Sequence, residues 1–199
     1  ISTSNAFTSI GLKIKLCEIE KKTGCISVNQ LKSIVNKNTK AICFVNFSGY
    51  VGKEILNIKK FCKKRNIFLI EDSACAFGNF YNSKSAGTFG DIGIFSLSST
   101  KTITTGQGGI IIFKNKKHFK KGLEIIDQGS NNWRKKNNHK KYGNNLRYND
   151  IQASFLLPQL QNFKKIIKNR LLLNQTIFKD LEKYFYSINK NISPLYNII

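Results

Sequence analysis

Four short apolar runs, separated by amphipathic or polar stretches, organise this chain. Residues 41–47 (AICFVNF) and 66–72 (NIFLIED) are β-branched and aromatic, the composition of buried strands. Between them, Glu54 to Arg65 sets Ile55, Ile58 and Cys62 on one helical face, with Phe61 beside them. Strand, helix, strand is the unit of a parallel sheet with right-handed crossovers, so the pattern predicts an α/β fold. Residues 91–98 (DIGIFSLS) and 108–114 (GGIIIFK) predict two further strands. A Ser27-x-x-Gln30 capping box opens a helix within SVNQLKSIVN (27–36). From Asp150 to about Tyr184 the spacing is helical, with Ile151, Phe155, Phe163, Ile166, Ile167 and Leu171 as apolar anchors. Pro158 is expected to kink or divide that helix. Residues 127–143 are polar and aperiodic, which predicts a surface loop.

Composition narrows the picture a little. The chain has 199 residues, with 33 Lys and Arg against 11 Asp and Glu, a formal net charge of +22. Such an excess raises the question of a polyanion partner. The basic residues are scattered, however, and no DNA- or RNA-reading motif accompanies them. An abundance of Lys, Asn, Ile and Phe reads as a compositional bias instead. Five cysteines, with no C-x-x-C pair, suit neither a zinc site nor a disulfide framework and predict reduced, mostly buried thiols in a cytoplasmic protein. No apolar run is long enough to cross a membrane.

One lysine stands apart. Lys101 lies in FSLSSTKTITTGQGG (95–109) and is the only charged residue between Phe95 and Phe113. A lysine among hydroxyls in a dry pocket can become a nucleophile toward a carbonyl; a lysine in a surface loop does nothing of the kind. A phosphate loop of the Walker type is excluded, because its glycines precede the lysine and here they follow it. Asp72 closes the strand 66–72, where ligands collect in open parallel sheets, although a carboxylate there is also a common helix cap. An Asp at a strand end, a Ser five residues before a Lys and a Gly-x-Gly-Gly after it suit pyridoxal phosphate. That cofactor needs a lysine to hold it, a carboxylate against its ring nitrogen and donors for its phosphate.

Three ordered blocks carry a resemblance to a known family. EDSACAFG (71–78), AGTFGDIGIFSLSSTKTITTGQGG (86–109) and GNNLRYNDIQASF (143–155) resemble the signature blocks of the DegT-type sugar aminotransferases, and TKAICFVNFSG (39–49) is similar in order and spacing. These are fold-type I, pyridoxal-phosphate-dependent enzymes acting on nucleotide-linked keto-sugars, usually with glutamate as donor. The resemblance implies a large domain over residues 1–185 with a mainly parallel sheet flanked by helices. A small domain would begin at 186–199, and the chain would be truncated at both ends. It also implies that Lys101 forms the Schiff base and that Asp72 pairs with the pyridine nitrogen. Ser96 would bond the cofactor phosphate, and Asn145 would reach the partner subunit's cofactor in a homodimer. Arg147, in the same block, is structural or substrate-facing.

The departures from that pattern matter too. Cys75 stands where the family has Gln or His beside the cofactor's hydroxyl oxygen, and a thiol is a weak hydrogen-bond partner. Ser99 replaces a proline and Asn46 a histidine. The family's ring-stacking aromatic would fall just before Ile1, and most of the small domain after Ile199. A piece lacking both is expected to expose apolar surface and dissolve poorly. The alternatives are a non-catalytic relative that keeps the pocket as a sensor or regulator, a sugar dehydratase, in which His replaces the lysine, and a basic nucleic-acid binder. The first two are separated by Lys101, the third by salt-sensitive binding independent of it.

Overall fold

The computed structural model describes residues 1–130, 139 and 141–181. Its centre is a four-stranded sheet in the order β1-β2-β5-β6: β1 (Ala41–Val45), β2 (Phe68–Asp72), β5 (Ile92–Ser96) and β6 (Gly109–Phe113). The first three are parallel and β6 runs antiparallel to β5. All four expected strands are present, and so is the mainly parallel sheet. The register sets Val45 beside Asp72, Asp72 beside Ile94, and Ser96 beside Gly109. The carboxyl ends of three strands and the start of β6 therefore share one edge, and the 97–108 loop carrying Lys101 sits on it.

Helix α1 (Ser2–Thr8) precedes α2 (Val28–Ile34), and α3 (Lys53–Arg65) makes the crossover from β1 to β2. The second parallel connection, from β2 to β5, carries a small hairpin of β3 (Phe80–Tyr81) and β4 (Lys84–Ser85) in place of a helix. The core lies between α3 and the sheet: Phe44, Ile55, Ile58, Leu69 and Phe89 are all within 2% of complete burial. Each such side chain contributes about 1.5–3 kcal/mol. At α2 the capping box forms as expected, with the Ser27 N–H donating to Gln30 Oε1 at 2.7 Å.

Three boundaries differ from the sequence reading, each for a local reason. Asn66 does not open β2. It closes α3 in the left-handed conformation (φ 53°, ψ 43°), a position that Asn fills at little steric cost. Helix α4 (Lys116–Ile126) was not legible because seven of its eleven residues are Lys, His, Gly or Glu. Gly122 lets it settle on β6, where a Cβ would meet the Phe113 ring at 2.7 Å. The long C-terminal helix is divided as expected, but at Asn162 rather than at Pro158. Helix α5 (Asp150–Gln161) runs through the proline, and α6 (Phe163–Leu181) follows. Asn162 turns back onto the Pro158 carbonyl with both its backbone N–H (3.1 Å) and its Nδ2 (2.9 Å).

The expected anchors of α5 are not buried by the chain: Ile151 is 74% and Phe155 60% exposed. Around 127–143, Asp127 bridges Asn145 and Ser130 bridges His139. Residues 131–138 and 140 of that expected loop, and the expected boundary at 185/186, lie outside the described residues. No described helix is long and apolar enough to cross a membrane.

Gly93, at the centre of β5, has no room for a side chain, since a Cβ there would collide with the Gly87 carbonyl. Gly93→Ala is expected to destabilise the protein by about 1–3 kcal/mol through overpacking, read as a lowered urea midpoint. An unchanged midpoint would show that the 86–90 turn yields freely.

Candidate active site

The site is built at the carboxyl edge of the sheet. Asp72, the last residue of β2, is half-buried. Its Oδ1 accepts the Ala74 N–H (3.1 Å) and its Oδ2 the Thr3 hydroxyl (2.7 Å). Thr3 comes from α1, so the first helix of the chain is tied to the strand edge across 69 residues of sequence. The next residues turn sharply and bring Cys75 to Lys101, whose Nζ donates to Sγ at 3.1 Å. Ser96 ends β5, and its Oγ accepts the Ser98 N–H at 3.2 Å. Asp72, Cys75, Ser96 and Lys101 are thus half-buried groups on one edge.

The loop bearing Lys101 is fixed from both sides. The Lys101 N–H donates to the Ser98 carbonyl and the Thr105 N–H to the Leu97 carbonyl, each at 3.0 Å. Gln159 of α5 grips Thr104 reciprocally, accepting its N–H at 2.9 Å and donating to its carbonyl at 2.6 Å. Gly106 (φ 79°) and Gly108 (φ 138°) adopt left-handed backbone, and a Cβ on Gly108 would meet the Tyr148 ring at 2.6 Å. In this structure the glycines serve the turn and the seating of Tyr148. On the other side, Phe77 packs edge-on against Phe95 and Phe163, which clamps the Asp72–Gly78 segment to α6.

Below the edge, β2 points its alternate residue inward. Glu71 is fully buried, and its carboxylate accepts the backbone N–H groups of Gly87, Phe89 (2.8 Å) and Gly90 (3.0 Å), together with Asn46 Nδ2 (3.2 Å). Asn46 also donates to the Ser73 hydroxyl at 2.7 Å, while its own Oδ1 is buried without a partner. Beside the site, Cys43 is an inert thiol: burial pushes its pKa up to about 12, and the Asp72 carboxylate adds to the effect. Cys25 and Cys62 are likewise raised to about 11 by burial. All five cysteines are free.

Lys101 and Asp72 are not paired with each other, and among the described residues neither meets an opposite charge within ion-pair distance. An amine and a carboxylate at one edge, both half-buried and mutually unsatisfied, fit a small molecule with a carbonyl carbon for the one and a cationic ring N–H for the other. The donor set suits pyridoxal phosphate, with Ser96 and its turn beside it. Asn145 is not brought into this cluster by its own chain. It is exposed, and its Oδ1 accepts Arg147 Nε at 3.3 Å. Arg147 also faces Asp127 at 3.4 Å, which gives it a structural contact in the 127–145 bridge. Thr3, Gln159 and Glu71 were missed in the sequence. A threonine beside a half-buried carboxylate, or a glutamine one helix away, leaves no local pattern to find.

The match to the DegT/DnrJ/EryC1/StrS aminotransferase family model extends over residues 1–192, and the chain belongs to that family. GDP-perosamine synthase of Vibrio cholerae is 33% identical over 172 residues, covering 84% of this chain and 45% of that protein. The aminotransferase TlmJ of Streptoalloteichus hindustanus has the same fold, with a TM-score of 0.89 at 22% identity over 98% of this chain and 54% of its own. An E. coli GDP-4-keto-6-deoxy-D-mannose-3-dehydratase with bound hydrated PLP is 26% identical, with a TM-score of 0.81 over 93% of this chain and 51% of its own. The chain spans about half the length of the curated relatives it matches.

Proposed function

We propose that this chain forms the cofactor-holding part of a pyridoxal-5′-phosphate-dependent aminotransferase that delivers an amino group to a nucleotide-linked keto-sugar. The observation that carries the reading is the unpaired Lys101 amine and Asp72 carboxylate at one sheet edge, in a chain of this family. Glutamate is the donor we assign, and the cytoplasmic supply of amino sugars for surface polysaccharide is the setting.

Bound there, the cofactor supplies an electron sink for the pair left on a substrate carbon when its proton departs. Lys101 holds the cofactor through its amine between turnovers. With its amine free, Lys101 Nζ would be the base that takes that proton and returns it from the same side. Asp72, oriented by Thr3 and the Ala74 N–H, accepts the ring N–H and keeps that nitrogen protonated. Ser96 would donate its hydroxyl to the phosphate, and Cys75, hydrogen-bonded to Lys101 Nζ, would be the side chain offered to the ring hydroxyl. Asn145, exposed and outside its own chain's cluster, is assigned to the partner subunit's site, so the active form is a homodimer.

Borohydride reduction of the purified, cofactor-loaded protein, followed by peptide mapping, tests the reading. The expected result is a single pyridoxyl label on Lys101. A label confined to surface lysines, or none, removes the enzyme reading and leaves the sensor.

A further inference from the structure

A second cleft opens at the opposite edge of the sheet, where β2 and β5 begin and β6 ends. It has a volume of about 290 Å³ and is lined by Lys59, Lys63, Lys114, Asp91, Phe89 and Cys62, among others. Lys59 and Lys63 are one turn apart on α3, and Lys114 follows β6 directly. Lys84 is outside the lining but near enough to act on Lys59, and it lies 5.0 Å above the Phe89 ring.

The geometry points to a binding site in this cleft for a small phosphate-class anion, a diphosphate group above all, held by Lys59, Lys63 and Lys114. The first support is charge balance. Asp91 is the only carboxylate of the lining, and one of its oxygens already accepts the Leu69 N–H at 2.9 Å. Among the described residues none of the four lysines has a carboxylate within ion-pair distance. Three convergent cations facing one carboxylate in the lining repel one another, and an anion relieves them.

The second support is the company that Lys59 keeps. Its side chain is half-buried, and burial together with Lys84 and Lys114 lowers its pKa against the opposing pull of Asp91 and Glu71. Lys63 alone could be read as complementing the carboxyl end of α3, but Lys59 and Lys114 lie outside that last turn. Size narrows the ligand. The cleft holds the equivalent of about ten waters, room for one phosphate or diphosphate with its inner hydration.

Recognition there is by point charges. The Gly90, Asp91 and Lys114 N–H groups that frame the cleft are all taken, by Glu71, Leu69 and Asp91. Binding should therefore weaken steeply with salt. The site lies across the sheet from Lys101 and is independent of the proposed reaction.

The test is lysine acylation of the purified protein, read residue by residue by mass spectrometry, with inorganic phosphate, inorganic diphosphate or sodium chloride at matched ionic strength. Diphosphate is expected to slow modification of Lys59, Lys63 and Lys114 by about tenfold, the effect of a one-unit rise in amine pKa. Lysines elsewhere, such as Lys32 and Lys120, should respond alike to diphosphate and chloride. Uniform slowing of all lysines overturns the proposal, as does equal protection of Lys59, Lys63 and Lys114 by sodium chloride. In a second arm, Lys59→Gln combined with Lys114→Gln should lose the diphosphate-dependent rise in Tm, and an undiminished rise overturns the site. If that variant fails to fold, the footprint on the native protein decides.

Discussion

Replacing Lys101 with alanine is expected to lower transamination by roughly 10⁴-fold or more, the upper range for loss of a general base, and to abolish the borohydride-fixed label. Two losses coincide in this one change. The amine that holds the cofactor between turnovers is gone, and so is the group that moves the substrate proton. Because Nζ contacts only Cys75 Sγ among the described residues, its removal leaves no buried charge behind, and the fold should keep its unfolding midpoint. A drop in activity with unchanged stability would therefore be chemical. Lys101→His is a sharper probe. It retains a titratable base but no primary amine, the arrangement expected of the dehydratase relatives. It should lose the label and the transamination together. If Lys101→Ala turned over at a tenth of the native rate or better, the proposed role would be wrong.

The parts of the fold written in hydrophobic period were legible, because burial on one face imposes that period. Strands β1, β2 and β5 and helix α3 carry their apolar residues where the core needs them, whereas β6 is as apolar but leaves Ile111 and Ile112 exposed. Elements held by other means were silent. Helix α4 rests on β6 through Gly122 and a side-chain cap, Asn115 Oδ1 to the Lys117 N–H at 2.8 Å, within a lysine-rich stretch. Asn66 looks like the first residue of a strand until its positive φ is known. Asp72 stood out as a carboxylate ending an apolar run and Lys101 as the only charged residue between Phe95 and Phe113, and the structure sets both at one sheet edge. The Thr3–Asp72 and Gln159–Thr104 contacts join residues 69 and 55 apart, and nothing local marks either partner. The exposed Ile151 and Phe155 are a similar case: helical spacing gave the stripe, but only the structure could say that this chain does not cover it.

Glu71 carries the second large effect, on stability rather than chemistry. In the sequence it is merely the neighbour of Asp72, and two carboxylates after an apolar run suggest a polar strand end. The alternation of β2 sends one to the site and the other into the core. There Glu71 accepts from three backbone N–H groups of the 87–90 turn and from Asn46, with the Ser73 hydroxyl at 3.5 Å. Glu71→Ala would leave the three buried N–H groups of Gly87, Phe89 and Gly90 without an acceptor, and the expected loss is about 3–5 kcal/mol, read from urea unfolding. Glu71→Gln tests whether it is the acceptor that matters or only the shape. The amide has one oxygen, so either Gly87 or the Phe89–Gly90 pair must face an NH₂ group, and about 1–3 kcal/mol should still be lost. A glutamine variant as stable as the native protein would sink the argument. The consequence reaches the site, because the 87–90 turn feeds β5 and so sets the position of Ser96. Below its shifted midpoint the Glu71→Gln protein should hold the cofactor more weakly, while the label that does form remains on Lys101.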